Sequence, residues 1–381
     1  MHPIDWKQDT LRDGIILISG QHIAVAHYSG EPIGIPYLTG PADFNGKNPN
    51  ETKYTDQPKA CCKAGDILIT VKGAGTGTIA IADKNYCISR QLMAVRPTRF
   101  DTRFIFYVLE SNFERYNSVA AGLIPGITRE DILSTPLEVP PIIEQEEIAH
   151  ILLTWDSAIE KTVKLIKAKR LRHGALSNKL LSRKHKNVPL KKFLTLVVRD
   201  IAKPDKPYWA LGIRSHGKGT FRRFVENPNT VAMDTLYRIQ HNDIIVNITF
   251  AWEGAIALVK ETDEDCFVSH RFPTLEVDIN KALPDYLRHV IIQKRFVRNL
   301  GLISPGGAGR NRVLNKKDFL NLKISLPEIK EQERIGDVLN TSLMEISLLE
   351  AQLEQLKKQK RGLMQKLLTG EWRVKAKKGG G

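Results

Sequence analysis

Asp131-Ile-Leu-Ser-Thr-Pro-Leu-Glu-Val-Pro140 has a counterpart 187 residues further on, Asp318-Phe-Leu-Asn-Leu-Lys-Ile-Ser-Leu-Pro327. The two stretches share Asp, Leu and Pro at equal offsets and match apolar residues elsewhere. The same shift carries Glu144-Gln145-Glu146 onto Glu331-Gln332-Glu333, Ile148 onto Ile335, and Lys179-Leu180-Leu181 onto Lys366-Leu367-Leu368. A register held without a gap for about fifty positions marks a duplicated unit.

Behind each proline the pattern is that of a long helix. In the first copy Ile148, Leu152, Trp155, Ile159, Thr162, Ile166, Lys169, His173, Leu176 and Leu180 recur at alternating spacings of four and three. In the second, Ile335, Leu339, Ser342, Ile346, Leu349, Leu353, Leu356, Lys360, Leu363 and Leu367 do the same. That alternation is the seam of a coiled coil. Glu144, Glu146 and Glu147 open the first helix and Glu331 and Glu333 the second, where the helix dipole favours negative charge. Neither run contains proline. At 1.5 Å per residue, about 38 residues make a rod of about 57 Å. One such stripe is usually a core-facing helix; two matched stripes predict that the helices pack on each other. The polar seam residues Thr162, Lys169, His173, Ser342 and Lys360 weaken that seam and fix its register.

The stretches outside the helices, 1–139 and 186–326, are each long enough for one domain. The helices then occupy 140–185 and 327–372, leaving a basic, glycine-rich tail at 373–381. The domains share a weaker repeat. Gly65-Asp-Ile-Leu-Ile-Thr-Val-Lys-Gly-Ala-Gly-Thr-Gly77 answers Asn242-Asp-Ile-Ile-Val-Asn-Ile-Thr-Phe-Ala-Trp-Glu-Gly254, and Cys87-Ile-Ser89-Arg90 answers Phe267-Val-Ser269-His270. Upstream, Ile35-Pro36-Tyr37 resembles Lys206-Pro207-Tyr208. Strands are predicted at Thr78–Ala82 and Ala255–Val259, and single helices at Thr102–Tyr116 and Pro284–Leu300. The expected fold class is α+β: two mixed domains joined by two long helices. The helices keep one common pattern while the domains share only sheet-forming positions, as expected of one scaffold carrying two recognition heads for different targets.

With 57 Lys and Arg against 42 Asp and Glu, the chain carries a formal charge of +15 and favours polyanions such as nucleic acid. Mean hydropathy is −0.26, there is no signal-peptide pattern at the start, and the apolar run Ile15–Ile18 is too short to span a bilayer. Cys61, Cys62, Cys87 and Cys266 form no CxxC pair, which argues against a zinc ribbon and fits reduced thiols in a cytoplasmic protein. No metal site is expected. The glycines Gly73, Gly75 and Gly77 follow a strand, but a phosphate-binding loop needs a helix after them, and here a strand follows. The other copy replaces the first two with Phe250 and Trp252 and keeps only Gly254, as a tight turn requires. No GxxxxGK[ST], HExxH, GxSxG or Asp/Asn-Pro-Pro-aromatic motif is present, so no catalytic residue is assigned.

Between Lys161 and Arg199 there are thirteen Lys or Arg and no acidic residue, a one-sign face suited to phosphate or an acidic partner. Predicted loops carry further bases, hydrogen-bonding side chains and aromatics able to reach base edges. In the first domain these candidates are Tyr37, Asp43, Lys72, Thr76, Arg90 and Gln91. In the second they are Arg214, His216, Lys218, Trp252, His270, Arg271, Arg310 and Arg312.

Leu137-Glu-Val-Pro140-Pro-Ile-Ile-Glu144-Gln145-Glu146-Glu-Ile148 and Leu326-Pro327-Glu-Ile-Lys-Glu331-Gln332-Glu333-Arg-Ile335 resemble the start of the two shared helices in type I restriction–modification specificity subunits. Leu176–Leu181 and Leu363-Met-Gln-Lys-Leu-Leu-Thr-Gly370-Glu-Trp-Arg373 resemble their ends. The resemblance spans the chain in the order domain, helix, domain, helix. The chain departs from the family in having little before Gly14–Gly20, which leaves the opening strand unassigned. What the resemblance implies is a pseudo-two-fold molecule whose helices form an antiparallel coiled coil, with two target-recognition domains at opposite ends. It further implies double-stranded DNA and two adenine-N6 methyltransferase subunits as partners, joined by ATP-dependent restriction and translocase subunits. S-adenosylmethionine then belongs to the methyltransferase subunits, ATP and Mg to the restriction subunits, and sequence choice to this chain, which is not itself an enzyme. The alternatives are a free-standing architectural or regulatory DNA-binding protein, and an enzyme using the glycine loop near Gly73.

Overall fold

Proline lacks the amide a strand needs but is tolerated where a helix begins, so Pro140-Pro141 switches the chain from one element to the other. The computed structural model, described here for residues 6–73, 75–120, 126–306 and 312–374, places a strand at Pro136–Val139 and a helix from Ile142. Pro327 repeats the switch, between the strand Lys323–Leu326 and a helix from Ile329. In chain order the α-helices are α1 (Thr102–Ser111), α2 (Phe113–Ala120), α3 (Arg129–Leu133), α4 (Ile142–Leu181), α5 (Pro284–Val290), α6 (Lys294–Leu302), α7 (Lys316–Asn321) and α8 (Ile329–Leu368). Two helices expected to be single are broken. Asn112 ends α1 by turning its side-chain amide onto the Val108 carbonyl at 2.9 Å, and Gln293 interrupts the other with extended backbone before α6.

The chain forms two compact units. The first takes the chain through Val163 and resumes at Ala351; the second is Lys164–Glu350. In the first, Ile148 and Leu152 near the start of α4 share a core with Leu363, Leu367 and Leu368 near the end of α8. In the second, Leu176, Leu180 and Leu181 near the end of α4 share one with Ile335 and Leu339 near the start of α8. The two helices therefore run antiparallel within each unit. Of the seam positions, Ile148, Leu152, Ile166, Leu180, Ile335, Leu339, Ile346 and Leu367 are buried. Trp155, Ile159, Leu176, Leu349, Leu353, Leu356 and Leu363 are half-buried.

The polar seam residues have partners. Lys360 Nζ reaches Glu110 Oε2 at 2.7 Å and Asp156 Oδ1 at 2.8 Å, and Lys47 and the Tyr107 hydroxyl share the same carboxylates. Burial would raise the Asp156 pKa, but Lys47, Lys360 and Tyr107 outweigh it and hold the carboxyl below the usual range. In the second unit His173 meets Ser342 at 3.2 Å, and Lys169 pairs with Glu345. His289, 1% exposed, is bonded to Asn340 through Nε2 at 2.8 Å.

Each unit carries two sheets. In the first unit one sheet has the order Ile15–Ser19, Leu92–Pro97, Ile67–Thr70, Ile79–Ile81; in the second the order is Leu194–Val197, Thr274–Val277, Ile244–Val246, Ile256–Leu258. The other sheet is built around one parallel pair, Ile35–Leu38 with Tyr86–Ile88 in the first unit and Tyr208–Ile213 with Cys266–Val268 in the second. Apolar residues from both sheets pack between them, Leu38 and Ile88 against Leu68 and Leu92, and Leu211 and Val268 against Ile245 and Ala257. A two-stranded ribbon completes each unit, Lys7–Thr10 with Pro136–Val139 and Lys186–Pro189 with Lys323–Leu326. The strand Lys7–Thr10 supplies the opening element that the sequence left unassigned.

The repeated Glu-Gln pair holds these parts together. Gln145, 2% exposed, donates from Nε2 to the Pro140 carbonyl at 2.9 Å and accepts at Oε1 from the Asp101 amide at 2.9 Å. Gln332, fully buried, donates to the Pro327 carbonyl at 2.9 Å and accepts from the Leu283 amide at 2.8 Å. Asp101 and Leu283 stand immediately before α1 and α5. One amide thus joins the start of a long helix to the start of a domain helix, using its donor and acceptor together. Glu144 ties down the first unit's chain ends instead. Its buried carboxylate accepts from Arg373 Nε at 2.8 Å, Trp6 Nε1 at 3.2 Å and the Val374 amide at 3.3 Å.

Candidate nucleic-acid interface

Where the two sheets of a unit meet, three segments between strands converge. In the first unit they are 39–41, 71–78 without residue 74, and 89–91. The Ser89 hydroxyl donates to the Thr39 carbonyl at 2.7 Å, the Val71 amide to the Gln91 carbonyl at 2.7 Å, and the Ile127 amide to the Val71 carbonyl at 2.8 Å. Gly77 turns with φ +87°, and a Cβ there would lie 3.1 Å from Phe113 of α2. In the second unit Gly254 turns with φ +79°, and a Cβ would lie 3.1 Å from Val297 of α6. Both glycines are the close-approach positions of the same turn.

Lys72, Arg90 and Gln91 are exposed on this junction, and Thr76 is half-buried with its hydroxyl donating to the Gly73 carbonyl at 2.7 Å. The second unit assembles more of its candidates. The His216 amide donates to the Glu253 carbonyl at 2.7 Å and the Gly217 amide to the Gly254 carbonyl at 3.1 Å, joining the Arg214–Lys218 loop to the Trp252 loop. The Ile248 amide bonds to the Arg271 carbonyl at 3.0 Å, bringing in His270 and Arg271. The Arg312 guanidinium lies 5.4 Å from the centre of the Trp252 ring, a cation–π distance. Arg214, His216, Lys218, His270 and Arg271 are exposed; Trp252 and Arg312 are half-buried. Arg310 lies outside the described residues.

Two candidates from the sequence are not at this surface. Tyr37 is 2% exposed and packs among Ile23, Tyr28 and Cys87, with its hydroxyl accepting from the Ile23 amide at 3.3 Å. Asp43, also 2% exposed, accepts from the Thr39 amide and hydroxyl at 2.6 Å each, from Thr52 at 2.9 Å and from Lys53 at 3.0 Å. Burial alone would raise its pKa; the bonds from Thr39, Lys53 and Thr52 outweigh it and keep the carboxylate ionised below its usual range. Both side chains have their polar atoms engaged within the domain, which removes them from the contact set.

An exposed ledge has no counterpart among the candidates read from the sequence. The strands Tyr208–Ile213 and Thr220–Val225 set the Trp209 and Phe224 rings 4.9 Å apart, with the Arg222 guanidinium 4.8 Å from the Trp209 ring. Its signal was Phe221-Arg222-Arg223-Phe224, a strand that breaks the alternation of buried and exposed residues. The Gly73 loop is followed by the strand Ile79–Ile81 and not by a helix. Among the described residues there is no cluster of three or more metal-ligating side chains, and no helix is long and apolar enough to cross a membrane.

Two sheet units that share one wiring, the second with the extra edge strand Asp200–Ala202, each combined with half of each paired helix and each bearing its own loop chemistry, define a duplicated recognition scaffold. The family model described as "Type I restriction modification DNA specificity domain" matches residues 3–169 and 185–358, and the chain belongs to that family as a type I specificity subunit. It is 23% identical to the MjaVIII specificity subunit of Methanocaldococcus jannaschii over 98% of this chain and 94% of that one. A putative MjaX specificity subunit of the same organism is 32% identical over 42% of this chain, a match spanning 38% of that relative. The crystal structure of the type I S subunit from M. genitalium has the same fold, with a TM-score of 0.60, 16% identity and 96% of each chain covered.

Proposed function

We propose that this chain chooses the DNA sequence for a type I restriction–modification enzyme by reading two unlike half-sites, one with residues 1–139 and the other with residues 186–326. The observation that carries this reading is the pair of equivalent loop junctions: the backbone wiring is the same, and the exposed side chains differ. The candidate contacts are Lys72, Thr76, Arg90 and Gln91 for one half-site, and Arg214, His216, Lys218, Trp252, His270, Arg271 and Arg312 for the other. The target is bipartite and asymmetric, its half-sites about 10 base pairs apart centre to centre, as readers on one face of a duplex require. Two adenine-N6 methyltransferase subunits dock on the chain and bring S-adenosylmethionine; restriction subunits bring ATP and Mg. The chain contributes selection and no bond-making chemistry.

Mapping N6-methyladenine in host DNA with and without this gene tests the reading. A methylated two-part motif that disappears with the gene supports it; an unchanged methylation pattern overturns it. Arg90→Ala then separates contact from general charge, since it is expected to relax one half-site and leave the other intact.

A further inference from the structure

The loop junctions of the two units share more than a shape. In the first unit the Leu92 amide donates to the Ser89 carbonyl at 2.9 Å, closing a turn over Arg90 and Gln91. In the second, the Phe272 amide donates to the Ser269 carbonyl at 2.9 Å, closing a turn over His270 and Arg271. The serine hydroxyl accepts from the amide two residues on in both, from Gln91 at 3.2 Å and from Arg271 at 3.4 Å. The carbonyl of that same residue takes an amide from the neighbouring loop, Val71 to Gln91 at 2.7 Å and Ile248 to Arg271 at 3.0 Å. That loop residue accepts in turn from a segment beyond, Ile127 to Val71 at 2.8 Å and Leu314 to Ile248 at 2.9 Å. Four hydrogen bonds therefore place Gln91 and Arg271 at one and the same position of two equivalent frames.

Both side chains are exposed, and among the described residues neither has a side-chain hydrogen bond or ion pair. The Gln91 amide lies across Gly40, where a Cβ would come within 2.4 Å of its Oε1, so the absence of a side chain there gives the amide its place. Glutamine and arginine both make paired hydrogen bonds to purines in the major groove, but to different ones, glutamine to the N6 and N7 of adenine and arginine to the O6 and N7 of guanine.

We propose that this position is the homologous base-reading position of the two domains, with Gln91 reading an adenine in one half-site and Arg271 a guanine in the other. The inference rests on the proposed function and adds to it a residue and a base for each half. It makes the two readers variants of one device whose choice at this position changes by a single side chain.

The test is selection from a library of random-sequence duplexes, using the full chain assembled with its methyltransferase subunits. Wild type, Gln91→Arg, Arg271→Gln, Gln91→Ala and Arg271→Ala are compared. Gln91→Arg is expected to change one adenine of the first half-site to guanine, and Arg271→Gln to make the reverse change in the second, with all other positions kept. The preference at the affected base pair is expected to shift by about 5- to 150-fold, the worth of one bidentate contact. The alanine variants are expected to lose the preference at that base pair alone, which keeps the test open if an exchange variant folds poorly. A wild-type consensus that the exchange and alanine variants all leave unchanged, or that loses several positions at once, overturns the inference while leaving the functional reading in place. If wild type itself enriches no two-part sequence, it is the functional reading that fails.

Discussion

Single side chains in this protein carry consequences out of proportion to their size, and the two clamp glutamines are the clearest case. Gln145 satisfies the Pro140 carbonyl and the Asp101 amide, and Gln332 the Pro327 and Lys281 carbonyls and the Leu283 amide. Gln145→Leu or Gln332→Leu keeps the volume and removes these bonds, so each is expected to cost about 1–3 kcal/mol, the penalty of an unmet buried polar group. Denaturant titration of the two variants measures this directly; a change below about 0.5 kcal/mol would show that water replaces the amide. His289 gives a prediction of opposite chemistry. Burial pushes its pKa down to about 4, so the folded protein holds the ring neutral while the unfolded chain takes up a proton near 6.5. Since the unfolded state binds more protons in that window, stability contributed by this group falls as pH drops from about 6.5 towards 4. His289→Gln is expected to flatten that part of the stability curve, and an unaltered curve would assign the acid sensitivity elsewhere.

At the scale of elements, the long helices combine an apolar seam with one charged knot. Lys360 sits in that seam, 9% exposed, between Glu110 and Asp156. Lys360→Met improves the seam's hydrophobicity and yet is expected to destabilise the first unit by about 1–3 kcal/mol, because Glu110 and Asp156 keep their charges and lose one of the two cations they share. Adding Glu110→Gln alone, which leaves Lys47 paired with Asp156, is expected to recover most of the loss; if the single variant is as stable as wild type, the knot contributes nothing. The seam was legible in the sequence because a 4–3 spacing needs only residue type and position. The knot was not, since Lys47 and Glu110 come from remote parts of the chain. Nor could residue type reveal that Asn112 and Gln293 break two domain helices. The same limit explains Tyr37 and Asp43. A tyrosine and an aspartate near a predicted loop look like contacts until Ile23, Thr39, Thr52 and Lys53 are seen to occupy them.

For the whole molecule, the duplication was readable because its offset of 187 residues holds through the helices, while the recognition heads keep only their strand positions. The shared wiring of the Ser89 and Ser269 turns lay beyond sequence, being written in backbone hydrogen bonds. If the helices set the spacing of the half-sites, lengthening both should lengthen the gap. A heptad inserted after Val163 and another after Glu350 preserves the seam period and adds about 10 Å to each helix. The gap in the methylated motif is then expected to grow by about three base pairs at about 3.4 Å each, with both half-sites unchanged. Methylome sequencing of a strain carrying the lengthened gene reads the outcome, and altered half-sites with a constant gap would refute the spacing role.

The carboxylate of Glu144 carries one more implication. It receives the indole of Trp6 from the opening of the chain and the guanidinium of Arg373 from its close. In the intact chain burial acts to raise its pKa, and Arg373, Trp6 and the Val374 amide together leave it lowered, so its contribution fades only in acid. Clipping the polypeptide after Trp372 would take away Arg373 and the Val374 amide and leave the Trp6 indole, and the carboxyl's pKa would rise from its lowered position. Such a shortened protein would keep less of this carboxylate's contribution at neutral pH, so that a protease nick beside Arg373 would be felt at Trp6.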